Sequence, residues 1–197
     1  MEEKTALSPQ SKEAILEEEI NCCFFRLIEK GALTIEQLNF LLSIDADEVS
    51  IYLPIVADQI LQQIREGNLK RWDFDLWDKR WRNEDGRKAS GFIHNIRPKQ
   101  KTISRKRGVF ARIVKAYRDK CKLIVCEFRT KAYTSESLEE LQEVLEEAIN
   151  TGLIICKDDK IMPNHSWVDS KRFFESYMQR FFELKSVETP LGRLSKK

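Results

Sequence analysis

The signals that most constrain this chain are its helix start and stop marks. Thr34 and Gln37 are spaced as a capping box, and Ser137 and Glu140 repeat the spacing. In such a box the hydroxyl accepts from an orphan amide of the first turn, and the Glu or Gln reaches back to the cap residue. Asp45 and Glu48 stand at the same interval ahead of another apolar stripe. Gly31, Gly67 and Gly152 fall just past the ends of three stripes, where a helix needs a left-handed residue to stop. With only 7 Gly and 5 Pro in 197 residues, turn chemistry is too scarce for a loop-rich all-β chain. The expected fold class is therefore mostly α with small β-hairpins (α+β).

Residues 1–68 read as three helices. Ser8 and Pro9 open the first, Leu16, Ile20, Cys23, Phe24, Leu27 and Ile28 form its stripe, and Gly31 closes it. The second starts at Thr34. The third runs from Asp45 to Gly67, and Pro54 inside it is expected to kink or split it near Tyr52. Trp72, Phe74 and Leu76 alternate as in a strand or extended arm, with a turn at "NEDGRK", and "GFIHNI" reads as another short strand. "RPKQKTISRKRG" reads as a basic connector, followed by an amphipathic helix over 109–121 and a doubly buried strand, "KLIVCEF". A helix from Ser137 to Gly152, a hairpin turning at Asp158–Asp159 and a Phe-rich helix within 169–185 complete the pattern. The expected domains are 1–96, an acidic helical unit with a Trp-rich arm; 97–186, a basic helix with a β-α-β hairpin unit and the Phe-rich helix; and 187–197, a flexible tail.

This order resembles the winged helix-turn-helix superfamily. Residues 12–80 place three helices, with the short turn "SIDAD" between the second and third, ahead of strands around "LKRWDFDLW"; residues 109–162 repeat the theme loosely, with "TGLI" before a hairpin like a wing. The resemblance implies up to two winged-helix-like units and DNA as a ligand. Both units depart from the pattern where such proteins read bases. The helix over 46–66 presents Asp47, Glu48 and Asp58 before its first base, Arg65. The helix over 137–151 carries five Glu and no Lys or Arg. Such faces repel phosphates rather than bind them.

The positive charge lies elsewhere. Overall net charge is +2, yet residues 1–68 carry −8, and residues 97–131 hold 13 Lys or Arg against Asp119 and Glu127, a net of +11. Arg97, Lys99, Lys101, Arg105, Lys106, Arg107, Arg112, Lys115, Arg118 and Lys122 are the expected nucleic-acid contacts, with Arg112, Lys115 and Arg118 on the helix face opposite Val109, Phe110, Ile113, Val114 and Tyr117. A run of this kind tracks phosphates and binds with strong salt dependence and little sequence preference. The competing readings are an acidic protein partner, including this chain's own acidic helices, and a merely solvated face. Trp72, Trp77 and Trp81, interleaved with Arg, are candidates for base stacking, against a plain packing role.

Chemistry-bearing constellations are sparse. Asp73, Asp75 and Asp78 offer the one arrangement a metal-dependent nuclease would use, and solvated charges on an exposed strand face explain it better. No glycine loop cradles phosphate. Cys121, Cys126, Cys156 and His165 lack the spacing of a zinc clip, and Cys126 and Cys156 read as small hydrophobes in apolar strands. Cys22 and Cys23 read as helix packing. Five cysteines without a CxxC suit a reducing, cytoplasmic setting. The opening "MEEKTALSPQSKEA" has no apolar core of a signal peptide, and no apolar run is long enough to span a membrane. No catalytic residue, metal or cofactor is expected.

In the last helix Phe173, Phe174, Tyr177, Met178, Phe181 and Phe182 form one broad apolar face, read either as core between the two halves or as a dimer or partner surface. As an interface its members are Phe173, Phe174, Tyr177, Phe181 and Phe182. The resulting expectation is a non-enzymatic nucleic-acid-binding accessory protein, DNA before RNA, acting as an adaptor with a protein partner or as a homodimer. The alternatives are a protein–protein factor with an acidic partner and, third, a metal-dependent nuclease.

Overall fold

The computed structural model describes residues 9–70 and 98–188, with side chains from Glu17 through Lys70 and from Ser104 through Val187. The described elements run α1 (Pro9–Glu29), α2 (Ile35–Ser43), α3 (Ala46–Arg65), α4 (Pro98–Thr134), α5 (Leu138–Asn150), β1 (Ile154–Lys157), β2 (Lys160–Pro163) and α6 (Ser170–Glu188). The described residues are thus mostly helical with one small hairpin. The chain divides into two compact units, residues 1–117 and 118–197, and α4 contributes to both. The boundary drawn from the sequence at 96/97 falls at the start of that helix.

The stop marks act as their chemistry requires. Gly31, Gly67 and Gly152 have φ of +73°, +77° and +79°. After each, an amide reaches back five residues: Ala32 to the Leu27 carbonyl, Asn68 to Gln63 and Leu153 to Ala148. This wrap satisfies carbonyls the helix end would orphan. The start marks vary more. Thr34 makes the full box, its Oγ1 accepting from the Gln37 amide at 3.0 Å while its own amide donates to Gln37 Oε1 at 2.9 Å. Ser137 accepts from the Glu140 amide at 3.1 Å, but the Glu140 carboxylate takes the Glu136 amide instead, at 2.7 Å. Asp45 holds the cap position of α3 with no side-chain cap bond.

In the first unit, α1 to α3 and the N-terminal half of α4 share one core. Ile20, Phe24 and Leu27 of α1, Leu41 of α2 and Leu53, Val56, Ile60 and Ile64 of α3 are buried with Phe110, Ile113 and Tyr117 of α4. Phe24 and Phe110 meet edge to face at 5.4 Å. Pro54 does not split α3, which stays helical from Ala46 to Arg65. Pro54 and Ser50, whose carbonyl loses its intrahelical donor, both lie on the exposed side, where water replaces that bond.

The second unit corrects a strand. "KLIVCEF" is helical throughout, within α4. Cys121, Val125, Phe128 and Ala132 are buried at helical spacing, while Leu123 is 66% exposed and Cys126 also faces out. The near-continuous apolar run therefore concealed a 3.6-residue period, and it carries a core on one face only. The basic connector is likewise helical: α4 begins at Pro98, a residue suited to the first helical position because no amide is needed there. The basic helix thus spans far more than 109–121.

The hairpin is as expected. Ile155 pairs with Met162, and Lys157 with Lys160. Asp158 and Asp159 both take positive φ, 52° and 59°, the tight turn whose twist matches the strands. Leu153, Ile154, Trp167 and Val168 are buried with Leu141, Leu145 and Ala148 of α5. Helix α6 closes this core with Phe173 and Tyr177, and runs through Glu188, so residues 187–188 are helix rather than tail. Arg180 ties it to the turn before α5, donating to the Ser135 carbonyl from Nε and Nη2 at 3.0 and 2.8 Å.

Candidate nucleic-acid interface

A carbonyl in an extended corner just before a helix has no intrahelical donor. Between α2 and α3, Ile44 is extended (φ −83°, ψ 164°), and so is Asp45 (φ −69°, ψ 158°). Arg105 fills this need by donating from Nη2 to the Ile44 carbonyl, and Arg112 adds a second tie by donating from Nη1 to the Ala46 carbonyl at the start of α3. The seven-residue interval brings both arginines to the same side of α4, one turn either side of buried Val109. Arg112 therefore does not lie opposite the apolar stripe, as its sequence position suggests. It flanks the stripe and pins α4 to the α2–α3 corner.

Lys106 lies on the core side, in line with Phe110. Its Nζ donates to Asn21 Oδ1 at 3.0 Å and approaches Glu17 Oε1 at 3.6 Å, residues one turn apart on α1. Three members of the basic strip are thus built into the first unit. Lys115 is exposed, while Arg107 and Ala116 are half-buried. The strip is divided between the units: Arg118, half-buried, and Lys122, exposed, belong to the second. Lys99 and Lys101 lie within α4, but their side chains are not among those described; Arg97 and the stacking candidates Trp72, Trp77 and Trp81 fall outside the described residues, as do Asp73, Asp75, Asp78 and the "GFIHNI" strand.

The electrostatics depend on what each cation meets. A carboxylate cancels charge, as Glu17 does for Lys106. A carbonyl does not, so Arg105 and Arg112 keep their full positive charge while losing side-chain freedom. In the second unit Lys131 sits 2.7 Å from Glu147 and 3.4 Å from Glu127. The Glu147 hydrogen bond holds its ammonium above the ordinary lysine range. The acidic side of α5 thus meets a basic residue of α4.

The Phe-rich helix is mainly core. Phe173 is 0% exposed and contacts Phe128 at 5.7 Å, and Tyr177 is buried, which pushes its hydroxyl pKa up. Neither can serve as a partner surface. Phe174 and Phe181 are half-buried, and Phe182 alone of the five is largely exposed, at 60%. Cys126 and Cys156 are exposed rather than packed, as is Cys22. Among the described residues, no group of three His, Cys, Asp or Glu side chains could hold a metal ion, and no helix is long and apolar enough to cross a membrane. No family model matches the chain, and no curated protein or solved structure matches it significantly.

Proposed function

We propose that this protein is a non-enzymatic nucleic-acid-binding adaptor that grips the phosphate backbone through the first-unit part of α4. One observation carries the reading: Arg105 and Arg112 are fixed by neutral carbonyls, so their charge is positioned but not cancelled. Lys115 adds exposed charge in the same unit, and the sequence places Lys99 and Lys101 in the first turn of the helix. An ordered row of cations loses less freedom on meeting phosphates than a flexible connector would. Backbone gripping without base readout fits DNA and RNA alike, with duplex DNA the first ligand to test. The winged-helix resemblance of residues 109–162 stays part of this proposal on its sequence pattern, "TGLI" before the hairpin. Helix α5, acidic on its exposed side, presents no cation to phosphate.

The test is fluorescence anisotropy with a mixed-sequence duplex over a salt series. Wild type should lose affinity steeply with salt, by a log–log slope of about −0.9 for each phosphate met. Lys99→Gln/Lys101→Gln/Lys115→Gln should flatten that slope by roughly two to three. Binding that is absent at low salt, or unchanged in the triple variant, refutes the proposal. Lys106 already pairs with a carboxylate, that of Glu17, so the second reading is an acidic protein partner. Displacement by polyglutamate as readily as by DNA would favour it.

A further inference from the structure

Helix α3 is amphipathic twice over. Its inward face is Val49, Leu53, Val56, Ala57, Ile60 and Ile64, all buried. At 100° per residue, Ile51 and Ile55 project to nearly the opposite side, and both are large and exposed, at 71% and 56%. Tyr52 borders them, its ring held edge to face against Phe40 of α2 at 4.8 Å. Helical surfaces seldom leave two branched aliphatics and two aromatic rings together in water, and a contiguous apolar patch of this sort marks an interaction site.

Charge says what covers it. From Gly31 through Ile64 the chain contains no Lys or Arg, but it contains Glu36, Asp45, Asp47, Glu48 and Asp58. The same 100° count places Asp47 on one side of the Ile51–Ile55 stripe and Glu48 on the other. Both are exposed, and neither makes a hydrogen bond or ion pair among the described residues. An apolar stripe with acid on both margins repels nucleic acid and anionic lipid. It also disfavours a second copy, because a two-fold contact through this face would bring together two surfaces that carry acid and no base. A Lys- or Arg-flanked apolar stripe is the complementary surface. We infer that the outer face of α3, with Phe40 of α2, docks a basic amphipathic helix of a partner protein. Ile51 and Ile55 supply the apolar contact, and Asp47 and Glu48 pair with the flanking cations. Its acidic margin starts next to the Ala46 carbonyl that Arg112 holds, while Ile51 and Ile55 lie more than a turn farther along α3 and need no ligand on the α4 cations.

The probe is a fluorescein-labelled amphipathic peptide of Leu and Lys at helical spacing, roughly 18 residues long, titrated with the full chain. Two double variants attack the face: Ile51→Ser/Ile55→Ser removes its apolar centre, and Asp47→Lys/Glu48→Lys reverses its margins. Each should weaken binding roughly tenfold or more. Glu139→Lys/Glu143→Lys, on the exposed acidic side of α5, should stay within about twofold of wild type, since it removes charge without an apolar stripe. Circular dichroism verifies that every variant is folded. Equal losses in the α5 variant would show mere attraction of a cationic peptide to acid, and unchanged binding in both α3 variants would remove the site; either overturns the inference. Sedimentation showing a wild-type dimer that Ile51→Ser/Ile55→Ser dissociates would overturn it in favour of a second copy.

Discussion

Phe173 decides whether the aromatic helix serves the core or a partner. Its ring is 0% exposed and touches the rings of Phe128 and Tyr177 at 5.7 and 6.2 Å. Truncation to Ala removes about 150 Å² of buried apolar surface, or about 4 kcal/mol at 25 cal/mol per Å². Lost aromatic geometry adds about 0.5–1.5 kcal/mol, and partial collapse of the cavity returns some of it. The expected cost is therefore about 3–5 kcal/mol. Urea unfolding followed by circular dichroism measures it: with a slope near 2 kcal/mol per M, the midpoint of the second unit should fall by about 2 M. Phe173→Leu, which refills most of the space, should cost about 1–1.5 kcal/mol and keeps the series readable if the Ala variant does not fold. Phe182→Ala, at an exposed position, should cost no more than about 0.5 kcal/mol. Equal effects at 173 and 182, or no loss at 173, would refute the assignment of this face to the core.

Arg180 offers a second check on the same unit. The Ser135 carbonyl is buried at the turn and takes two guanidinium donors. Arg180→Met should cost about 1–3 kcal/mol by denaturant midpoint, because it strands that acceptor. The variant also removes the larger of two holds on Glu183, whose carboxyl Arg180 and then Gln179 keep below the ordinary range. A depressed carboxyl lends its stability above the ordinary pKa and loses it as pH falls through the folded value. The wild-type advantage should therefore shrink in acid. Thiol labelling near neutral pH gives the third: exposed Cys22, Cys126 and Cys156 should react promptly, and buried Cys121 only on unfolding. Cys23 should also lag, because burial pushes its thiol up to about 11, and it should accelerate as pH approaches that value.

Local chemistry was legible from residues alone. Thr34, Ser137, Gly31, Gly67 and Gly152 mark helix ends because a cap or a left-handed stop depends only on residues within one turn. Asp158 and Asp159 mark the hairpin turn for the same reason. What the sequence could not separate was an apolar run buried on two faces from one wound around a helix. "KLIVCEF" suits both, and only its neighbours decide, by presenting a core to Cys121, Val125 and Phe128 and none to Leu123. The cationic strip behaved similarly. Its charge was plain from composition, and the interval between Arg105 and Arg112 hinted at a shared face. That both would hydrogen-bond to carbonyls of a corner more than sixty residues away was not encoded locally. Caps, helix stops and the hairpin turn are set by bonds between near neighbours, which sequence order lists. The fate of each charged or aromatic side chain is set by which distant segment packs against it, and that is a property of the folded chain alone.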